Sequence, residues 1–190
     1  MAEALAVQRG SLLRERCREL AEQEGPRPLV LIDELARAEV LEDTPVGYRF
    51  THESLRQVLL SRMAPDRKRA LHLAAAEHAL LRLREADALH VRVEAGWHFM
   101  HAGEASRGAE VLAEVAYDTV GVRVAFADLQ VAAPALEAAL RVYSKQERSL
   151  YQRTPLMTAL AQAGYYEDRI WGVRYGDMAL AAIEEVSGLA

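Results

Sequence analysis

YRFTHESLRQVLLSRMAPDRKRALHLAAAEHAL, from Tyr48 to Leu80, is the stretch whose reading decides the fold. Tyr48-Arg49-Phe50 is β-prone and follows the turn signal Thr44-Pro45-Val46-Gly47; Thr51 then offers an N-cap oxygen for a helix. Leu55, Val58, Leu59 and Met63 recur at helical spacing, giving that helix one apolar face, and Pro65 ends it. A second helix starts at once, with Pro65 or Asp66 in its first turn and Arg67-Lys68-Arg69 on its wet side. Its apolar residues fall on two stripes, Leu71, Ala74, Ala75 and His78 on one and Leu73, Ala76, Leu80 and Leu83 on the other. Two apolar stripes predict a helix covered on two sides, as in a stack of helices.

Working outward toward the N-terminus, residues 2–24 read as helix, with Leu12, Leu13, Cys17 and Leu20 on one face and Gly10-Ser11 as a point where it can split. Gly25-Pro26-Arg27-Pro28 stops that pattern, and Leu29–Leu41 is a further helical pattern with Leu31, Ile32, Leu35, Ala36 and Val40 inward. Leu41–Asp43 pairs with Tyr48–Phe50 across the Thr44–Gly47 turn as a short ribbon. Helix, helix, hairpin and helix is what a winged-helix domain needs, with a very small wing.

Beyond Pro65 the sequence reads as helices in pairs, with breaks near Leu89-His90, Ala127-Asp128 and Gly164-Tyr165; the last two are 37 residues apart. Ala105, Ala109, Leu112, Ala116 and Val120 form one stripe of the second pair, and Leu129, Ala132, Leu136, Ala139 and Tyr143 the other. The third pair turns at Ala163-Gly164-Tyr165-Tyr166 into a helix holding Trp171, Gly172, Tyr175, Gly176, Ala179 and Leu180. Pro134 lies inside its pattern and predicts a kink or a late start, whereas Thr154-Pro155 reads as a cap followed by a first-turn proline.

The pairs are similar to tetratricopeptide repeats: Ala132 fits the small residue expected in a second helix, and Arg169 departs from it in the last hairpin. The Tyr48–Leu80 stretch resembles the junction between winged helix and helical repeats in signal-transduction ATPases with numerous domains, the STAND class. That class includes LuxR-type and maltose-regulator-like bacterial activators. The resemblance rests on Phe50-Thr51-His52, Leu55-Arg56-Gln57-Val58-Leu59, Arg69-Ala70-Leu71-His72, and the later Gly96-Trp97-His98-Phe99-Met100-His101-Ala102-Gly103-Glu104. It covers residues 29–140 well and the rest loosely.

The resemblance implies a winged-helix-like unit over 1–64 and tetratricopeptide-like hairpins over 65–190, in an all-α chain with one small β-hairpin wing. It also implies that His52, opening a helix after the wing strand, is an ADP phosphate sensor in an intact parent, with Glu53 where an aspartate is usual. Both ends of the chain read as cut, so the expectation is a piece of a longer regulator whose ATP or ADP sits in an upstream nucleotide-binding domain. No cofactor is expected in this piece itself.

Composition sets the remaining bounds. The 190 residues are 51% apolar and 27% charged with only 6% aromatics, as in a helix-rich protein with room for a sizeable core. A net charge of −5 argues against a chain built mainly to grip nucleic acid, and the would-be recognition helix carries Asp33, Glu34 and Glu39 against Arg37. Cys17 is the single cysteine, which rules out an internal disulfide and fits a reducing, cytoplasmic location. No apolar run nears the ~20 residues that span a bilayer.

Candidate chemistry is sparse. Gly103–Gly108 has a phosphate-loop glycine spacing, but Ala109-Glu110 stands where Lys-Ser/Thr is needed. His98 and His101 are three apart without a third ligand in fixed relation, and His72 and His78 sit among alanines and leucines as packing residues. Arg62, Arg67, Lys68 and Arg69 form a basic cluster that reads as a solvated face. His52 has two readings, the nucleotide sensor and a plain helix cap. No acid, base and nucleophile assemble from these residues, so no catalysis is expected. The leading expectation is a regulatory scaffold that binds a protein or small effector and relays it to an upstream ATPase domain, self-association being open. The alternative is a winged-helix DNA-binding regulator with a helical dimerisation domain.

Overall fold

A computed structural model describes residues 1–8, 12–15, 17–18, 28–45, 47–83, 89–119, 126–165 and 170–188. The fold is all-α with a small antiparallel β element, and the chain divides into two compact units, Met1–His72 and Leu73–Ala190.

The first unit contains α1 (Ala2–Ala6), β1 (Leu12–Leu13), α2 (Pro28–Arg37), β2 (Leu41–Thr44), β3 (Gly47–Phe50) and α3 (Glu53–Arg62). The expected ribbon is present. Leu41 pairs with Phe50 and Thr44 with Gly47, and the Gly47 N–H donates to Thr44 Oγ1 at 3.1 Å across the turn. The long N-terminal helix is not. Leu12 and Leu13 instead pair with Tyr48 and Gly47 on the other edge of β3, giving the strand order β1-β3-β2. Helical spacing of the leucines could not reveal this, because the partner lies far along the chain. Residues 14–15 and 17–18 are helical, and Arg14 bridges back to the ribbon, donating to the Thr44 carbonyl at 2.9 Å, pairing with Asp43, and lying 5.3 Å from the Tyr48 ring centroid.

Ala4, Leu5, Cys17, Ile32 and Leu41 form the core of this unit, with Leu35, Tyr48, Phe50 and Leu71 against it. Of the expected inward face of α2, Ile32 is buried while Leu31, Leu35, Ala36 and Val40 are half-buried. Thr51 does not cap α3. Its hydroxyl donates to the Glu39 carbonyl at 2.6 Å, and the N-cap position belongs to His52. Nor does α3 bury its apolar stripe: Leu55 is 37% and Val58 46% exposed, no residue within the helix is buried, and only Met63 at its C-cap is.

The division between units falls within α4 (Pro65–Leu83). Its two expected stripes merge into one seam, His72, Ala75, Ala76 and Ala79, with Leu73 and Ala74 exposed. The second unit continues through α5 (Leu89–Ala102), α6 (Ala105–Thr119), α7 (Phe126–Lys145), α8 (Leu150–Tyr165) and α9 (Ile170–Ser187). Consecutive helices from α5 to α9 pack on one another, and α6 also packs on α8. Among the described residues, eleven of the twenty in the main core are alanine, so helix separation there is set by small side chains. The stripes expected on α6 and α7 are the buried ones: Ala109, Leu112 and Ala116, then Ala132, Leu136, Ala139 and Tyr143. On α9, Gly172 and Ala179 are buried but Leu180 is 61% exposed. Leu20, Val120, Arg169 and the side chains of Leu83, Leu129 and Trp171 lie outside the described residues.

Pro134 and Pro155 both lie inside helices. α7 runs unbroken from Phe126 with Pro134 on its exposed side, so there is no late start. α8 starts before Thr154-Pro155 because Ser149 and Gln152 form a capping box. The Ser149 N–H donates to Gln152 Oε1 at 3.2 Å, and the Gln152 N–H donates to Ser149 Oγ at 3.4 Å. Thr154 Oγ1 donates to the Leu150 carbonyl at 2.8 Å instead of opening the helix.

α5 and α6 cross at two glycines. A Cβ on Gly108 would lie 2.7 Å from the Gly96 carbonyl oxygen, and one on Gly96 2.5 Å from Leu112 Cγ. Three helices end with a left-handed residue and the paired bonds of a Schellman cap: Gly103 (φ 89°), Glu39 (φ 56°) and Glu147 (φ 53°). Two tests follow from these geometries. Gly108→Ala should lower unfolding free energy by about 1–3 kcal/mol in urea denaturation, because a backbone oxygen cannot move aside as a side chain can. Glu147→Gly should raise it by about 1 kcal/mol, because glycine adopts that backbone without a Cβ penalty.

Candidate functional site

His52 is exposed at the start of α3, with an extended backbone (φ −135°, ψ 130°) that turns the chain from β3 into the helix. Its carbonyl accepts the Leu55 N–H at 3.0 Å, but its imidazole makes no capping bond. The ring therefore has no part in holding the helix start.

The neighbouring first turn is occupied by Glu53. Arg56 Nε donates to both of its carboxylate oxygens at 3.0 Å, and Gln57 Nε2 to one at 2.7 Å. Arg56 and then Gln57 hold the Glu53 carboxyl below its ordinary value. The same guanidinium reaches the Ala6 carbonyl through Nη1 at 2.9 Å and so ties α3 to α1. An anion approaching the α3 N-terminus meets a favourable helix dipole and, beside it, a carboxylate whose charge Arg56 already balances.

The other candidates separate. His98 is fully buried, edge-on to Trp97, whereas the exposed His101 ring stacks tilted at 3.9 Å on the same indole with Nδ1 2.9 Å from the Trp97 carbonyl. The two histidines thus differ in setting, His98 inside the helix stack and His101 at its surface. Phe99 is fully buried under the Arg107 guanidinium, 4.1 Å from the ring centroid, and Trp97 and Met100 pack on the core. No group of three or more metal-ligating side chains occurs among the described residues. Gly103 is a helix cap and Gly108 a helix crossing. In the basic cluster, Arg69 pairs with Asp66, and Arg67 lies 3.5 Å from Glu3; Arg62, Arg67 and Arg69 are exposed. Among the described residues, no helix is long and apolar enough to cross a membrane.

One concave feature was not legible beforehand. A cavity of about 280 Å³ opens between α6, α8 and α9, lined by Tyr117, Tyr151, Thr154, Pro155, Ala182, Ile183, Val186 and Ser187. Tyr117 and Tyr151 are large aromatics off the apolar stripes of their helices and stand exposed by 48% and 62%.

A scan against protein-family models and searches of curated proteins and of solved structures found no match.

The Arg56–Glu53 pairing carries a direct check. A carboxylate with a lowered folded pKa contributes stability that is full above its unfolded pKa and fades as pH falls through the folded value. In Arg56→Ala the Glu53 carboxyl should titrate at higher pH, as followed by carbon-detected NMR of the side chain; an unchanged midpoint would show that the guanidinium is not the cause.

Proposed function

We propose that this chain is a non-catalytic regulatory module that works with a nucleotide-binding ATPase domain of the STAND class, its first unit acting as a winged-helix-like element and its second as a tetratricopeptide-like scaffold. The observation that carries the reading is the connectivity of the first unit. A helix, a short strand, further helix, α2 and then the β2–β3 ribbon, in strand order β1-β3-β2, supports a winged-helix reading, and β1 is not part of the motif resemblance. The helix pairs of the second unit and their shared core support the scaffold half, since stacked hairpins with one continuous core suit binding a partner across several helices.

In this reading His52 senses the phosphate of bound ADP. Its exposed imidazole, free of any capping duty and set at the N-terminus of α3, supports that role. The partners are protein domains, above all the nucleotide-binding domain, and the setting is cytoplasmic. DNA is disfavoured as the partner because the exposed side of α2 presents Asp33 and Glu34 with Arg37, and acidic groups repel phosphates.

Two measurements test the proposal. In the protein that joins this chain to its nucleotide-binding domain, His52→Ala should weaken ADP binding about tenfold by calorimetry; equal affinity would remove the sensing role. Titration of this chain with duplex DNA at two salt concentrations should show no steeply salt-dependent binding, and such binding would favour the DNA-binding alternative.

A further inference from the structure

The cavity between α6, α8 and α9 belongs wholly to the second unit, so what it implies stands whether or not the ATPase reading does. Its walls come from three helices. Tyr117 stands near the end of α6, Tyr151, Thr154 and Pro155 lie in the first turns of α8, and Ala182, Ile183, Val186 and Ser187 lie in the last turns of α9.

Three properties define what would fit. At about 280 Å³ the space is nearly twice the ~150 Å³ apolar cavity that holds a benzene ring in an engineered protein core, which suits a body of about two fused rings or its aliphatic equivalent. The described lining residues are apolar or hydroxyl-bearing and none is charged, so a carboxylate or ammonium there finds no opposite charge among them.

Polar groups nevertheless meet in one place. Tyr117 and Tyr151 both line the cavity, and Tyr151, ahead of burial, raises the Tyr117 phenol above its ordinary value. Thr154 Oγ1 spends its hydrogen on the Leu150 carbonyl but keeps acceptor capacity. Pro155 has no N–H, so the Tyr151 carbonyl at the wall lacks its usual helical donor. A ligand hydroxyl has a phenol to accept from and one of these oxygens to donate to.

We infer that this cavity is a binding site for a small uncharged molecule with an apolar body and a single hydroxyl or carbonyl group. The apolar body lies against Pro155, Ala182, Ile183 and Val186, and the polar end sits between Tyr117 and Tyr151. Occupation adds a contact shared by α6, α8 and α9 at this end of the helices.

The matched pair 1-naphthol and 1-naphthoate tests this, with the same rings and opposite charge states at neutral pH. By calorimetry or ligand-observed NMR on the intact chain, 1-naphthol should bind saturably at one site, and 1-naphthoate at least tenfold more weakly. Ile183→Trp should abolish binding by filling the cavity; Ile183 is 46% exposed, so the larger ring has room, and an unchanged circular dichroism spectrum and melting temperature would show that the fold is kept. Tyr151→Phe should weaken 1-naphthol about five- to tenfold while leaving naphthalene binding unchanged. Absence of saturable 1-naphthol binding, equal binding of the naphthoate, or undiminished binding to Ile183→Trp would each overturn the inference. So would sedimentation showing a dimer that Ile183→Trp disrupts, because the cavity would then be part of a contact between two copies.

Discussion

The second unit depends on how closely its helix backbones approach. At the crossing of α5 with α6, Gly96 and Gly108 leave no room for even a methyl group, so carbonyls and side chains of one helix rest directly on the other. Along the rest of the core alanine does similar work, as Ala109, Ala116, Ala132, Ala139, Ala159 and Ala163 are all fully buried. Small residues bury little area each, on the order of one methyl group, so the stabilisation is spread over many contacts rather than concentrated in a few large side chains. Phe99, Leu112, Leu136, Leu156 and Leu160 are the larger, fully buried residues among them. A core of this kind tolerates losing a methyl better than gaining one.

The first unit is held differently. Its apolar core is small, and guanidinium groups do much of the connecting. Arg14 spans from the helical turn after β1 to Asp43, Thr44 and Tyr48 of the ribbon, and Arg56 joins the first turn of α3 to the end of α1. Bonds from an arginine to backbone carbonyls fix direction as well as distance, because the planar group offers its donors in set positions. Exposed ion pairs contribute little stability individually, so their main role here is to define how short elements meet. The connectivity that supports the winged-helix reading therefore rests on a two-residue strand and a few polar bridges.

What the sequence made legible follows from the range of the interaction involved. The α6 and α7 stripes were readable because burial there repeats every three or four residues along one helix. The ribbon was readable because its turn is local. β1 was not, since Leu12 and Leu13 look the same on a helix face as on a strand edge until Gly47 and Tyr48 are brought beside them. Thr154-Pro155 is the more conspicuous start signal for α8, but the Ser149–Gln152 capping box opens the helix before it. His52 was correctly placed at a helix start, but Thr51 was given the capping position, and only geometry shows the Thr51 hydroxyl turned toward Glu39. The cavity arises where three helices separated in sequence converge, a coincidence no single-helix pattern encodes.

The third helix, α3, is the least anchored element of the first unit's described residues. It has no buried residue of its own, its leucine and valine stripe faces outward, and Arg56 provides the polar bridge that ties it to α1. Such a segment opens at a small fraction of the free energy needed to unfold the whole unit, so its amides exchange with solvent long before those of the sheet. The residues between β3 and Pro65 are thus held by few buried contacts, and a partner that covered Leu55 and Val58 would hold them more firmly.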